Sequence, residues 1–286
     1  MAKRIDGRVV KNVEPFDKII PYIMYTRNDA MNFYEDTFDC APLDAYIKNK
    51  KEQGININYM HIIIAAIVRV LALRPKLNRF IMNGKIYARP KVWVSFAIHH
   101  RLSDDDTETT LKLEFEGTEG LLTIASAVDK AIADEISGSA GTNDTDKVAD
   151  LVMKAPGFLV RVLVRFLMWM DTKSIMPKAI IKASPFHTSL FITNLKSLGI
   201  NHIFHHIYNF GTTGLFVAMG KEKIAPVWDV KEEKFINSKQ LGWGLVSDER
   251  FCDGLYFAKS LRMIRKFMQN PESLEPALEA KVEDCE

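Results

Sequence analysis

A short acidic run near the C-terminal end holds the residues best suited to proton transfer. Residues 248–254 read DERFCDG and include Glu249 and Asp253. A carboxylate can act as a general base, and a base works best when its pKa lies near the working pH. An unperturbed glutamate titrates ~2 pH units below an unperturbed histidine, so a glutamate base needs burial. Phe251 and Trp243 are close enough in sequence to form apolar walls around Glu249.

Adjacent histidines at His205 and His206 offer a second candidate base, because histidine is the side chain that titrates near neutral pH. Together with His202 they also have spacings that occur among metal ligands. No acidic residue or cysteine stands close to them in the sequence, so we expect no metal site here.

The periodicity of apolar residues predicts the elements that must position these side chains. Residues 91–99 and 110–115 alternate as strands, whereas residues 59–73 carry a broad apolar face at helical spacing. The run EEK at 232–234 predicts a polar hairpin connection. Strands and helices mixed along the chain in this way predict an α/β fold, a two-layer sandwich of a mixed β-sheet with packed helices.

The chain offers no clear boundary between domains. Its 286 residues are 47% hydrophobic and can bury a large core. The one stretch with strong loop composition, SGSAGTND at 137–144, is flanked by helical patterns. We interpret it as a surface loop inside a single domain that spans residues 1–286.

Charge and cysteine content limit the partners and the compartment. The 38 basic and 36 acidic residues are mixed along the chain and leave a net charge of +2, so we expect no nucleic-acid partner. Three cysteines without a CxxC spacing argue against disulfides and zinc. The first residues lack the apolar region of a signal peptide. We therefore expect a cytoplasmic protein.

The most hydrophobic stretch of the chain is residues 155–171, which carry Arg161 and Arg165 four residues apart. A membrane-spanning helix needs ~20 apolar residues, so this segment is too short and we expect no transmembrane segment. We expect it to pack against the body of the protein or a neighbouring subunit, with interfacial membrane contact as the alternative. Its apolar surface could also line a binding site for an apolar acyl group.

Several segments, in the same order along the chain, resemble one family. They are residues 25–34, residues 56–78 with their Pro-x-Leu-Asn ending, residues 189–200 (SLFITNLKSLGI), residues 214–221 followed by 226–228, and residues 248–254. The set resembles the chloramphenicol acetyltransferase-like superfamily, most of all the catalytic domain of 2-oxo acid dehydrogenase acyltransferases. The last segment resembles the signature Asp-His-Arg-x-x-Asp-Gly, with Glu249 in place of the catalytic histidine.

The resemblance implies a role for each matched residue. Glu249 occupies the position of the general base, and Thr193 matches the hydroxyl that donates a hydrogen bond to the oxyanion. Asp253 matches an aspartate that pairs with an arginine and holds the loop of the base, and Arg27 stands where chloramphenicol acetyltransferases carry that arginine. Gly254 lets the chain turn tightly after Asp253.

The resemblance also implies partners and an assembly. In this family the site lies between subunits of a homotrimer, which would set Glu249 and Asp253 of one subunit opposite Thr193 of the next. Coenzyme A enters from one side and the acyl acceptor from the other. We therefore expect an acyl-CoA substrate and a small-molecule or carrier-bound acceptor.

A match to a lipoylation site is interpreted as accidental. Residues 128–131 read VDKA, but residues 121–136 have helical spacing, whereas a lipoylated lysine sits at a hairpin tip. We expect Lys130 to be an exposed helix lysine. No lipoyl or subunit-binding domain is expected, so the chain is interpreted as a freestanding acyltransferase-type domain.

Two alternatives remain open at the level of sequence. Glu249 could close the site with a salt bridge, which would leave a pseudoenzyme that binds acyl-CoA or acts as a scaffold. The run HHIYNFG at 205–211 also resembles the pattern His-His-x-x-x-Asp-Gly, with Phe210 in place of the aspartate. His205 or His206 could therefore serve as a relocated base.

Overall fold

Nine strands and seven α-helices make up the described part of the chain, which is residues 4–99, 108–138 and 155–285 of a computed structural model. The helices are α1 (Pro15–Ile23), α2 (Cys40–Glu52), α3 (Tyr59–Leu73), α4 (Leu121–Ile136), α5 (Gly157–Thr172), α6 (Lys178–Ala183) and α7 (Gly254–Gln269). The strands are β1 (Arg8–Val9), β2 (Met31–Asp39), β3 (Arg79–Met82), β4 (Lys85–Ala88), β5 (Val92–His99), β6 (Glu108–Phe115), β7 (Leu190–Asn194), β8 (Leu215–Asp229) and β9 (Lys234–Asp248).

Six of the strands form one mixed sheet in the order β2-β9-β8-β7-β5-β6. The neighbours β5, β7 and β8 run parallel, whereas the pairs β2/β9, β8/β9 and β5/β6 are antiparallel. The short strands β1, β4 and β3 form a separate antiparallel sheet. The predicted mixed sheet is confirmed, and β5 and β6 cover the two segments predicted as strands.

Helices cover one face of the large sheet. Helix α3 is buried along nearly its whole length because its broad apolar face meets the sheet, α4 and α7. It begins at Asn58, whose Oδ1 accepts a hydrogen bond from the His61 backbone N–H at 3.0 Å. Leu190 and Ile192 of β7 lie in the same core. The predicted helix at 59–73 and the predicted two-layer α/β sandwich are both confirmed.

On the opposite face, the segment between β7 and β8 crosses the sheet. Glycines on the strands make room for it, since a Cβ at Gly244 would lie 2.9 Å from the Ile203 carbonyl oxygen and one at Gly220 would collide with the His202 backbone nitrogen. Because these positions lack side chains, residues 201–207 lie directly on β8 and β9. This close approach brings His205 over the sheet.

Strands β8 and β9 extend together into a long hairpin that ends at residues 230–233. The tip overlaps the predicted polar connection at 232–234. Trp228 and Phe235 pair edge to face near the tip, with ring centroids 5.2 Å apart, and both are exposed.

Two segments singled out in the sequence are helices. Helix α4 covers the predicted helix at 121–136, and Lys130 is exposed on it as expected. Residues 139–144 of the predicted surface loop lie outside the described residues. The hydrophobic segment at 155–171 forms α5. Within the described ranges, no helix has the length and apolar character needed to cross a bilayer.

Candidate active site

The loop with the acidic signature begins where β9 ends, and a buried aspartate holds it. Asp248 is fully buried and accepts hydrogen bonds from Nε and Nη2 of Arg250 at 2.8 and 2.7 Å. The backbone N–H of Arg250 also donates to Asp248, at 3.2 Å. Such a bidentate contact fixes the planar guanidinium against the carboxylate. It thereby fixes the turn Glu249–Phe251, of which Arg250 is the middle residue.

A second buried arginine completes this cluster and corrects the expected ion pair. Arg27 Nε lies 3.7 Å from Asp248 Oδ2, and its Nη1 donates to the Tyr208 carbonyl oxygen at 2.7 Å. Burial lowers the pKa of Arg27 to about 10, and the Asp248 charge opposes that decrease, so Arg27 stays charged at neutral pH. The assignment of Asp253 as the partner of Arg27 was wrong, because Asp248 takes that position.

Asp253 instead caps the helix that follows the signature. It is exposed, and its Oδ1 accepts a hydrogen bond from the Tyr256 backbone N–H at 2.8 Å, as an N-cap does. That hydrogen bond is the main reason why the pKa of Asp253 is below its usual value. Gly254 begins α7 outside the left-handed φ region, and a Cβ there would meet open space. The tight-turn role expected of Gly254 is therefore not required by the fold of its own chain.

Glu249 lines a cavity but is itself exposed. The cavity of about 320 Å³ lies between α1, the end of β9 and the start of α7. Apolar side chains in its lining are Phe16, Ile20, Met24, Phe251 and Phe257. Phe251 thus forms an apolar wall as expected, whereas the expectation for Trp243 was wrong. Trp243 lies in the core, with its ring 5.2 Å from that of Phe38.

The predicted oxyanion residue and one of the candidate histidines are in direct contact. Thr193 Oγ1 lies 3.0 Å from Nε2 of His205. The His205 ring stacks on Phe216 with centroids 4.4 Å apart, which fixes its orientation. Burial, and next the charge of His206, lower the pKa of His205, so its ring is neutral at neutral pH. A neutral imidazole can donate a hydrogen bond at one nitrogen and accept one at the other.

The two other histidines of this segment lie apart from Thr193. His206 is exposed, and His202 Nε2 lies 3.3 Å from Glu35 Oε2 at the surface. Among residues 4–99, 108–138 and 155–285, no group of three or more His, Cys, Asp or Glu side chains could hold a metal ion.

Within one chain, the Thr193 pair and the Glu249 loop lie at different ends of the sheet. Thr193 is in register with Ala218 of β8, and Ala218 with Gly244 of β9. Glu249 follows Gly244 by five residues, which corresponds to roughly 16 Å along the strand and about 10 Å across two strand spacings. A base must approach to ~3 Å, so one chain alone does not bring Glu249 and Thr193 into a common site.

A further buried cluster has the composition of a hydrolytic triad. His187 lies 2.8 Å from Ser184 Oγ through Nδ1 and 3.2 Å from Asp171 Oδ2 through Nε2. Asp171 is also paired with Arg4 at 2.7 Å, and the His187 ring is completely buried. Burial lowers the pKa of His187 despite the nearby Asp171 carboxylate. Because the imidazole is buried and Arg4 holds the carboxylate, we interpret this cluster as structural. It connects the N-terminal segment to the end of α5.

Sequence reasoning missed two features of the site. One is the buried role of Asp248, which the signature itself contains. The other is the contact of His205 with Thr193. The glycines at 220, 242 and 244 were the available signal for that contact, because glycines within strands often mark the close approach of another segment.

Several solved structures have a similar fold. The cubic core of the pyruvate dehydrogenase multienzyme complex aligns with a TM-score of 0.59 and 13% identity over 93% of both chains. A probable dihydrolipoamide acetyltransferase from Listeria monocytogenes gives 0.55 and 18% over 95% of this chain and 97% of that one. A chloramphenicol acetyltransferase gives 0.52 and 10% over 92% and 99%.

No protein-family model and no curated protein sequence matches the chain. The structural matches nevertheless cover nearly the whole chain. The chain therefore has a fold similar to that of chloramphenicol acetyltransferase and of the dihydrolipoamide acetyltransferase, which confirms the fold expected from the resemblance in the sequence.

Proposed function

We propose that the protein is a coenzyme A-dependent acyltransferase that moves an acyl group from a CoA thioester to a small-molecule or carrier-bound acceptor. The observation that carries this proposal is the contact between Thr193 and the neutral His205 ring. It supplies an oriented hydroxyl at the position where the family resemblance implies an oxyanion donor.

The reaction requires few groups. A base removes the proton of the acceptor, the acceptor attacks the thioester carbonyl carbon, and the carbonyl oxygen becomes an oxyanion. The hydroxyl of Thr193 donates a hydrogen bond to that oxyanion while His205 Nε2–H donates to Oγ1 and holds the hydroxyl in place. The C–S bond then breaks, and the CoA thiolate takes the proton back from the base. Loss of one oxyanion donor typically lowers kcat ~10²–10³-fold.

We assign the base to Glu249 of a neighbouring subunit in a homotrimer. The separation of Glu249 and Thr193 within one chain supports this assignment, because a second subunit is needed to bring the two together. The same subunit surface would bury the exposed Glu249 carboxylate, which is the condition under which a glutamate acts as a base near neutral pH. Asp253 supports that loop by capping α7.

The first experiment measures CoA release from a panel of acyl thioesters with candidate acceptors. We expect turnover by the wild type, and a decrease of ~10²-fold or more in both Glu249→Gln and Thr193→Ala. His206→Ala serves as the matched control for His205→Ala, because the two residues are adjacent but only His205 contacts Thr193. Full activity in Glu249→Gln together with loss in His205→Ala would move the base to His205.

The second experiment tests the shared site by mixing subunits. Glu249→Gln and Thr193→Ala protomers are unfolded together, refolded at a 1:1 ratio and assayed. In a trimer with sites between subunits, every mixed trimer contains one intact site of three, so the mixture should regain about a quarter of wild-type activity. Absence of any recovery, with trimers present by mass measurement in solution, would rule out a site that takes Glu249 from one subunit and Thr193 from the next.

A second candidate is a noncatalytic acyl-CoA-binding or scaffold protein. The exposure of Glu249 favours it, since an exposed carboxylate is a weak base. This candidate predicts that the wild type binds acyl-CoA by calorimetry without turning it over, and that Glu249→His gains CoA release.

A further inference from the structure

Helix α5 presents an unusual amount of apolar surface to solvent. Only its inner side, through Leu167 and Met170, packs on the body of the protein. At 100° per residue, Phe158, Val162, Phe166 and Trp169 fall within an arc of about 80°, whose centre lies about 110° around the helix from that of Leu167 and Met170. Phe158 is 66% exposed, and the rings of Phe166 and Trp169 stack at 5.8 Å. An exposed aromatic stripe of this kind marks a surface that binds something.

The exposed charges in the chain segment that carries this stripe all have one sign. Residues 155–189 contain five basic side chains, all exposed, which are Arg161, Arg165, Lys173, Lys178 and Lys182. Their one acidic residue is Asp171, which is buried and paired with Arg4. Arg161 and Arg165 lie directly beside the aromatic stripe. A surface that is both apolar and cationic is complementary to an anionic, apolar partner.

Helix α1 continues the exposed apolar surface. Phe16, Ile19 and Tyr22 are all more than half exposed on it. A cavity of about 330 Å³ is lined both by Tyr22 and by Met168 of α5, so the two helices lie on the same side of the molecule. Phe16 also lines the cavity that contains Glu249. The apolar surface therefore extends from α5 to the mouth of the candidate active site.

We propose that α5, together with α1, binds the surface of an anionic lipid bilayer. Helix α5 has 16 residues and is about 24 Å long, enough to lie in the interface but not to span the bilayer. Phe158, Phe166 and Trp169 insert at the level of the lipid headgroups. The long side chains of Arg161 and Arg165 reach the lipid phosphates while their methylene groups stay with the apolar stripe. This binding does not depend on acyl transfer.

The test measures binding of the protein to large unilamellar vesicles by co-sedimentation. Vesicles of phosphatidylcholine with about 30% phosphatidylglycerol should bind the protein, and vesicles of phosphatidylcholine alone should bind it much less. At ~5-fold for each basic residue, Arg161→Gln with Arg165→Gln should weaken binding ~25-fold. Raising the salt concentration should weaken wild-type binding in the same direction.

The exposed aromatic pair at the hairpin tip provides a matched control. Trp228 and Phe235 are as exposed as the α5 pair, but residues 229–234 between them carry three acidic and two basic side chains, so the hairpin tip is not cationic. Phe166→Ser with Trp169→Ser should abolish vesicle binding, whereas Trp228→Ser with Phe235→Ser should leave it unchanged. In a Trp228→Phe background, in which Trp169 is the exposed tryptophan of the described residues, the anionic vesicles should shift tryptophan emission to the blue.

Three outcomes would overturn the proposal. One is absence of binding to anionic vesicles at low salt. Another is equal loss of binding in the α5 and hairpin double variants. The third is a smaller assembly in solution for Phe166→Ser with Trp169→Ser, because this would show that α5 contacts a second copy of the chain.

Discussion

The buried contacts of Asp248 predict how its substitution changes the free energy of unfolding. In Asp248→Asn the side chain keeps its shape but loses its charge, and its NH₂ group faces an arginine donor. One of the two hydrogen bonds to Arg250 is then lost, and the guanidinium groups of Arg27 and Arg250, both 5% exposed, lose their shared counter-charge. Removing one partner of a buried ion pair typically costs 3–5 kcal/mol, so we expect a decrease of about 3–5 kcal/mol in the free energy of unfolding.

Asp253→Asn is the matched control for this change. Asp253 is exposed, and its hydrogen bond to the Tyr256 backbone is one that asparagine can also make as an N-cap. We therefore expect its effect to stay within about 0.5 kcal/mol. The two substitutions are the same chemical change five residues apart, so the difference between them measures the burial and pairing of Asp248.

Urea unfolding, monitored by circular dichroism, measures the change in the free energy of unfolding for both variants. The measurements need one protomer concentration throughout, because the free energy of unfolding of an oligomer depends on it. A double-mutant cycle of Asp248→Asn with Arg27→Met should give a coupling energy of at least ~1 kcal/mol. If Asp253→Asn costs as much as Asp248→Asn, or if the cycle shows no coupling, then Asp248 does not hold the loop as described.

Two further predictions concern the sheet and the loop on it. Burial, with a smaller effect from Arg89, lowers the pKa of Lys112 to about 7, well below its unfolded value of ~10.4. The unfolded state then binds more protons between these pH values, so the free energy of unfolding should rise from pH 7 to pH 9.5 by at most ~1.4 kcal/mol per pH unit and should rise less in Lys112→Met. Gly244→Ala should lower kcat/KM without unfolding the protein, because its Cβ would lie 2.9 Å from the Ile203 carbonyl and displace the His205 segment. Gly254→Ala, at an open position, should leave both activity and stability unchanged, and equal effects of the two alanines would contradict this account.

The fold was predictable because its main signals are local. The apolar face of residues 59–73 and the alternation in residues 91–99 depend only on neighbours along the chain, and both became the expected elements, α3 and β5. Helix α4 likewise followed from its own spacing. In each case burial against the sheet reinforces the local preference instead of opposing it.

The partners within the site were not predictable, because they depend on contacts between distant segments. The signature contains two aspartates, and which of them faces Arg27 is decided by the path of the chain where β9 ends. The motif match assigned the wrong one. The contact between Thr193 and His205 likewise depends on a loop that folds back over strands β8 and β9. Glycines on those strands allow the approach, but their spacing alone does not say which residue of the loop arrives there.

The residues that hold the signature loop, residues 248–254, in place are not the residue that is proposed to act as the base. Asp248, Arg250 and Arg27 fix the turn from inside the protein, and Asp253 anchors its far end to α7. Glu249 takes no part in that buried cluster and lies exposed at the cavity. Replacing Glu249 by histidine should therefore leave the loop intact. For this reason the response of activity to Glu249→His reports on the base itself, and the free energy of unfolding of that variant should match the wild type within about 0.5 kcal/mol.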